Sequence, residues 1–144
     1  MATEENKTIV RRFLEEVWNR EDLDILDEVI ADTYIGHDPS FPTGEIGGRG
    51  ALKGVLAGIR AGMPDAHVQL HDVMGEGDRT VVRMTVTGTH TGDLFGLPAT
   101  GRQLSVESFL LSRLHGGRIV EEWALRDTFG LLQQAGAVPE PAAV

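Results

Sequence analysis

Residues 52–86 read LKGVLAGIRAGMPDAHVQLHDVMGEGDRTVVRMTV, and the spacing of the apolar side chains changes partway through. Leu52, Val55, Leu56 and Ile59 recur at the three- and four-residue intervals of one helix face, which predicts a helix from about Gly50 to Ala61, ended by Gly62 and Pro64. Beyond Pro64 the period becomes two. Val68, Leu70 and Met74 fall on one predicted strand and Val82, Met84 and Val86 on the next, with Gly75-Glu76-Gly77-Asp78 as the hairpin turn.

Upstream of this switch the pattern is helical. Ile9, Val10, Phe13, Leu14, Val17 and Trp18 form an amphipathic stripe behind Thr3, Glu4 and Glu5, residues suited to a helix start. A second helix starts after Asn19 or Asp22 and uses Leu23, Leu26, Val29 and Ile30, followed by a short extended stretch over Thr33 to Asp38. Downstream the pattern is strand-like, about Gln103 to Leu114 and Arg118 to Asp127 around His115-Gly116-Gly117, before a short helix from Thr128 to Ala135 that stops at Gly136. Helices first and meandering strands after predict an α+β fold in which three N-terminal helices pack on the concave face of one curved, mostly antiparallel sheet. The length suits one domain over residues 1–144, with Pro139 to Val144 free to be a disordered tail.

Bulk properties exclude several functions. A net charge of -9, with no basic run, opposes nucleic-acid binding, because phosphate contacts call for a cationic face. No apolar stretch is long enough for a membrane span, and the acidic start does not resemble a signal peptide, so the expectation is a soluble, unprocessed chain with the cytoplasm as default location. With no cysteine there is no disulfide, thiolate ligand or cysteine nucleophile. His67 and His71 would stand about 13 Å apart on a strand, which predicts no metal site. Gly44 to Gly50 lacks the Lys-Ser/Thr ending of a phosphate loop, and there is no Gly-x-Ser-x-Gly elbow.

Alternation along the last strand puts Ile119, Glu121, Trp123, Leu125 and Asp127 on one face and Val120, Glu122, Ala124 and Arg126 on the other. The first set is the more apolar and is expected to face the interior. Asp127 then ends an apolar stripe, where desolvation would suit it to proton transfer, although capping of the following helix explains it equally well. Trp123 is either a flat wall for a ring-bearing ligand or plain core. His90, on the face of Val82, Met84 and Val86, and His37, on the extended segment, are each either ligand contacts or satisfied structural histidines.

Several stretches in order resemble one family: Val10-Arg11-Arg12-Phe13 through Val17-Trp18-Asn19, Asp32-Thr33-Tyr34-Ile35-Gly36-His37-Asp38-Pro39, Met63-Pro64-Asp65, Gly88-Thr89-His90-Thr91-Gly92, Gly96-Leu97-Pro98-Ala99-Thr100-Gly101-Arg102, Gly116-Gly117-Arg118-Ile119-Val120-Glu121-Glu122-Trp123, Asp127 and Gln133-Gln134-Ala135-Gly136. They are similar to the SnoaL-like polyketide and ester cyclases and cover nearly the whole chain. The resemblance implies a nuclear-transport-factor-2-like cone around an apolar cavity. It also implies that Asp127 matches the acid/base aspartate of cyclases that close a ring by intramolecular aldol condensation of an ester enolate, without metal or cofactor. Leu14 stands where many relatives have tyrosine, and Glu122 where many have histidine.

The expectation is therefore a cofactor-independent acid/base enzyme on a hydrophobic, carbonyl-bearing small molecule. Asp127 and His90 are its catalytic candidates, with His37, Trp123, Trp18 and Met84 as substrate contacts; on that reading Asp127→Asn abolishes turnover and spares the fold. The alternatives are isomerisation, epoxide hydration, for which Asp127, Arg83 and Arg113 do not assemble a water-activating set, and a non-catalytic binding module. A homo-oligomer is expected through the convex sheet face.

Overall fold

A computed structural model describes residues 2–139. Helix α1 (Ala2–Arg12) runs on into a π-helical stretch, Phe13–Asn19, where Phe13, Leu14 and Val17 are all buried. Helix α2 (Leu23–Val29) is capped by Asp22, whose carboxylate accepts from the amides of Asp24 and Ile25. Strands β1 (Ile30–His37) and β2 (Glu45–Gly47), helix α3 (Arg49–Gly62), strands β3 (His67–Glu76), β4 (Arg79–Thr89), β5 (Gln103–His115) and β6 (Arg118–Arg126), and helix α4 (Thr128–Gln134) follow. The expected helices, hairpin and strand pair are present. The β-branched Ile30 begins β1 instead of ending α2, its backbone already extended at φ -109, ψ 128. Of the tail, residues 140–144 lie outside the described residues.

The six strands form one curved sheet in the order β2-β1-β6-β5-β4-β3. Neighbours are antiparallel except β1 and β6, which are parallel. The helices cover one face, and the core between them and the sheet is built on Val10, Phe13, Leu26, Ile30, Val82 and Ile119, all essentially inaccessible to solvent. Among the described residues no helix is long and apolar enough to cross a membrane.

Two bulges correct the strand facing read from alternation. On β3 the register steps from Leu70 opposite Met84 to Asp72 opposite Arg83, leaving His71 as an extra residue. Parity therefore flips, so Val73 turns inward and Met74, expected beside Val68 and Leu70, is exposed. On β6 the step from Leu114 opposite Ile119 to Arg113 opposite Glu121 makes Val120 the extra residue. Ile119 is buried as expected, but beyond the bulge Glu122, Ala124 and Arg126 face the interior, while Glu121, Trp123 and Leu125 face out.

Candidate active site

Between the helices and the concave face of the sheet lies a cavity of about 570 Å³. Trp18 from the π-helical stretch, Met84 from β4 and Leu131 and Leu132 from α4 form much of its apolar wall. Trp18 is held in place from behind, its carbonyl accepting a hydrogen bond from the Arg60 guanidinium. Phe41 and Phe95 meet edge to face across the same cavity, their ring centroids 5.5 Å apart. Phe95 lies against Gly58 of α3, where a Cβ would come within 2.8 Å of its ring; any larger residue there would displace the aromatic.

The polar end is built by β1 and β6. Arg126, which lines the cavity, donates to Asp38 Oδ2 at 2.6 Å. Asp38 is 1% exposed, and its other oxygen accepts from the Ser40 amide at 2.9 Å. The Arg126 Nε is buried without a partner among the described residues. A smaller recess of about 50 Å³ shares Trp18, Met84, Ser108 and Arg126 with the cavity wall, and Glu122 is among its lining residues. There the Glu122 carboxylate accepts from the Tyr34 hydroxyl at 2.9 Å and the Ser112 hydroxyl at 2.7 Å. Burial pushes this carboxyl up from 4.5 to about 7 against the opposing pull of the two hydroxyl groups. The same burial, with Glu122 beside it, drives the Tyr34 phenol far above its ordinary range, so it stays protonated.

The residues singled out from sequence divide between this cavity and other places. Trp18 and Met84 line it. His90 is fully buried outside it, in a loop whose Leu94, Phe95 and Leu97 form cavity wall. Its Nε2 donates to the Leu97 carbonyl at 3.1 Å, which fixes the tautomer and leaves Nδ1 to accept from the Thr100 hydroxyl at 3.0 Å. With both ring nitrogens engaged, His90 pins the loop and has none left for a ligand. His37 and Trp123 stack at 5.1 Å on the outer face of the sheet, where the β6 bulge carries Trp123, and His37 Nε2 lies 2.7 Å from Glu121. That contact and the Arg113 guanidinium hold the Glu121 carboxyl below its usual range.

Asp127 follows the bulged strand and is exposed, with its Oδ1 accepting from the Gly130 amide at 2.8 Å as the N-cap of α4. The expectation that it ends an inward stripe is not met, because Val120 shifts the parity of everything after it. Asp127→Ala is expected to cost on the order of 1 kcal/mol, and Asp127→Asn less, since asparagine caps as well as aspartate. Turnover per folded chain should stay within a few fold. A melting curve beside an activity assay decides this: a large loss of rate in Asp127→Asn at unchanged melting temperature would return proton transfer to Asp127.

The sequence reading missed Arg126, Asp38 and Phe41, and took Glu122 to face away from the interior. Asp38 lay in a quoted segment, but its burial depends on Arg126 88 residues away. Among the described residues no cluster of His, Asp or Glu is placed to hold a metal ion.

Comparison with known proteins agrees with this architecture. The aklanonic acid methyl ester cyclase DauD of Streptomyces sp. (strain C5) is 28% identical over 129 residues, 89% of this chain and 80% of that protein. The crystal structure of IdmH from Streptomyces antibioticus superposes with a TM-score of 0.79 at 31% identity, covering 91% of this chain and 98% of that one. A SnoaL-like protein from Jannaschia sp. CCS1 shares the fold at a TM-score of 0.85 and 24% identity, over 95% of both chains. The family profile described as SnoaL-like polyketide cyclase matches residues 8–135, nearly the whole chain, and the chain belongs to that family.

Proposed function

We propose that the protein is a cofactor-independent acid/base enzyme that closes a ring in a hydrophobic, carbonyl-bearing small molecule by intramolecular aldol condensation. The observation that carries this reading is Arg126, a guanidinium held by a buried carboxylate and lining a largely apolar cavity. Apolar walls and three aromatic side chains, Trp18, Phe41 and Phe95, suit a flat, ring-bearing ligand. Arg126 supplies fixed donors to a carbonyl oxygen that gains charge as the neighbouring carbon loses its proton, and exclusion of water strengthens that contact. A ketone or ester delocalises the resulting carbanion itself, so the protein has only to bind, orient and move a proton. The methyl ester for which DauD is named is a carbonyl compound of this kind.

The test is solvent-deuterium exchange at the methyl group of methyl naphthyl ketone, followed by NMR. Exchange above the buffer rate, abolished in Arg126→Gln, is the expected outcome. Saturable binding of the ketone without any exchange would make the protein a binding module.

A second copy of this chain is the proposed partner. Ile35, Phe109 and Leu125 are 41%, 51% and 66% exposed and adjoin Trp123 on the outer face of β1, β6 and β5, an apolar patch that self-association would bury. Phe109→Glu is expected to convert a sedimenting dimer to monomer. Unaltered chain sedimenting as a monomer would rule the interface out.

A further inference from the structure

Among the described residues the recess is lined by two carboxyls, Asp38 and Glu122, and Glu122 is the one without a counter-ion. Asp38 is paired with Arg126, and Glu121 with His37 and Arg113, whereas among the described residues no cation lies within ion-pair distance of Glu122. It is 3% exposed and held by two neutral hydroxyls, which leaves a lone pair free on each oxygen. A carboxyl kept only for packing would be better served by an amide or an apolar side chain, since an unpaired buried charge is destabilising. The Tyr34 ring is seated by Gly36, where a Cβ would come within 2.7 Å of the phenol oxygen, so backbone as well as side chains fix the carboxyl.

We propose that Glu122 carries the proton in the ring closure, taking it from the carbon beside the ligand's polarised carbonyl and returning it to the alkoxide formed when the ring closes. This rests on the acid/base reading of the cavity. The recess leading to Glu122 has room for a small substituent of the ligand or one bridging water, either of which brings the carboxyl into proton-transfer reach. In the first step the C–H bond breaks, its electron pair becomes the enolate held by Arg126, and Glu122 takes the proton. The enolate carbon then attacks a second carbonyl of the same molecule, and Glu122 protonates the new alkoxide. No atom is gained or lost.

With its carboxyl raised to about 7, Glu122 is poised to accept and donate near neutral pH. The groups bordering it are compatible with that role. Tyr34 from β1 stays protonated, Asp38 and Arg126 neutralise one another, His37 borders the recess from β1 with its ring engaged by Trp123 and Glu121 on the outer face, and the helices contribute only apolar side chains such as Phe13, Leu14 and Leu52.

The experiment is methyl naphthyl ketone exchange across pH for the unaltered chain, Glu122→Gln and Ser112→Ala, each with a melting curve. Glu122→Gln should slow exchange by about a hundredfold or more while remaining folded, because glutamine can hydrogen-bond both hydroxyls. Ser112→Ala keeps the carboxyl but removes a donor to its ionised form, so the acid limb of the pH profile should move to higher pH. Exchange in Glu122→Gln equal to that of the unaltered chain overturns the assignment and leaves the cavity reading intact. An unmoved acid limb in Ser112→Ala overturns it as well, even if Glu122→Gln does not fold. Absence of exchange in the unaltered chain overturns both.

Discussion

Arg126→Met is expected to destabilise the fold by roughly 3–5 kcal/mol, the cost of leaving a buried carboxylate without its partner. Asp38 is almost fully buried and would keep only the Ser40 amide. The Arg126 side chain is 25% exposed, so water screens part of the pair and the lower end of the range is the expectation. The double variant Asp38→Asn, Arg126→Met should recover much of the loss by removing the stranded charge, yet regain no turnover, because the carbonyl would still lack its donor. Urea denaturation of the single and double variants gives the cycle. A loss below about 1 kcal/mol in Arg126→Met would mean that Asp38 finds other solvation and that the pair does not organise the cavity.

The second large effect is a pH dependence of unusual sign. The Glu122 carboxyl rises from 4.5 in the unfolded chain to about 7 in the fold, which at about 1.4 kcal/mol per pH unit amounts to about 3 kcal/mol. Between those values the unfolded chain has already released a proton that the fold retains. Stability therefore falls as pH rises through the window, with the penalty absent below about 4 and complete above about 8. Glu122→Gln removes the titration, so its stability relative to the unaltered chain should grow by about 3 kcal/mol across the window. Taking the difference at each pH cancels the other carboxyls, among them Asp65 and Glu121, whose lowered values act in the opposite sense. A difference that stays flat from acid to neutral pH would show that Glu122 is not held in a desolvated site.

The elements were legible because helix and strand periods differ and because Gly62, Pro64 and Gly116-Gly117 punctuate them. Facing was not. A bulge at His71 or Val120 leaves no mark in composition, since either residue suits a regular strand, yet one extra residue turns every later side chain to the opposite face. This is why Trp18 and Met84, which precede or avoid a bulge, lie on the cavity wall while Trp123 and Asp127 do not. Glu122 was hidden by the same shift: an acid beside another acid reads as solvated surface until the parity change puts it against Tyr34 and Ser112. The family resemblance conveyed the cone and its cavity, but a residue's position within a motif does not determine where its side chain points.

The parallel pairing of β1 with β6 has a consequence for the order in which this protein is made. Both contacts that build the polar end of the cavity, Tyr34 with Glu122 and Asp38 with Arg126, join residues 88 apart. A ribosome adding roughly 5–20 residues per second leaves the β6 side of β1 unpaired for several seconds, after the β3–β4 hairpin has been made. These two polar pairs are thus absent from every nascent intermediate and arrive with the last strand. Until then β1 and β5 each present an open edge to other chains, which makes that interval the one in which a chaperone would matter most.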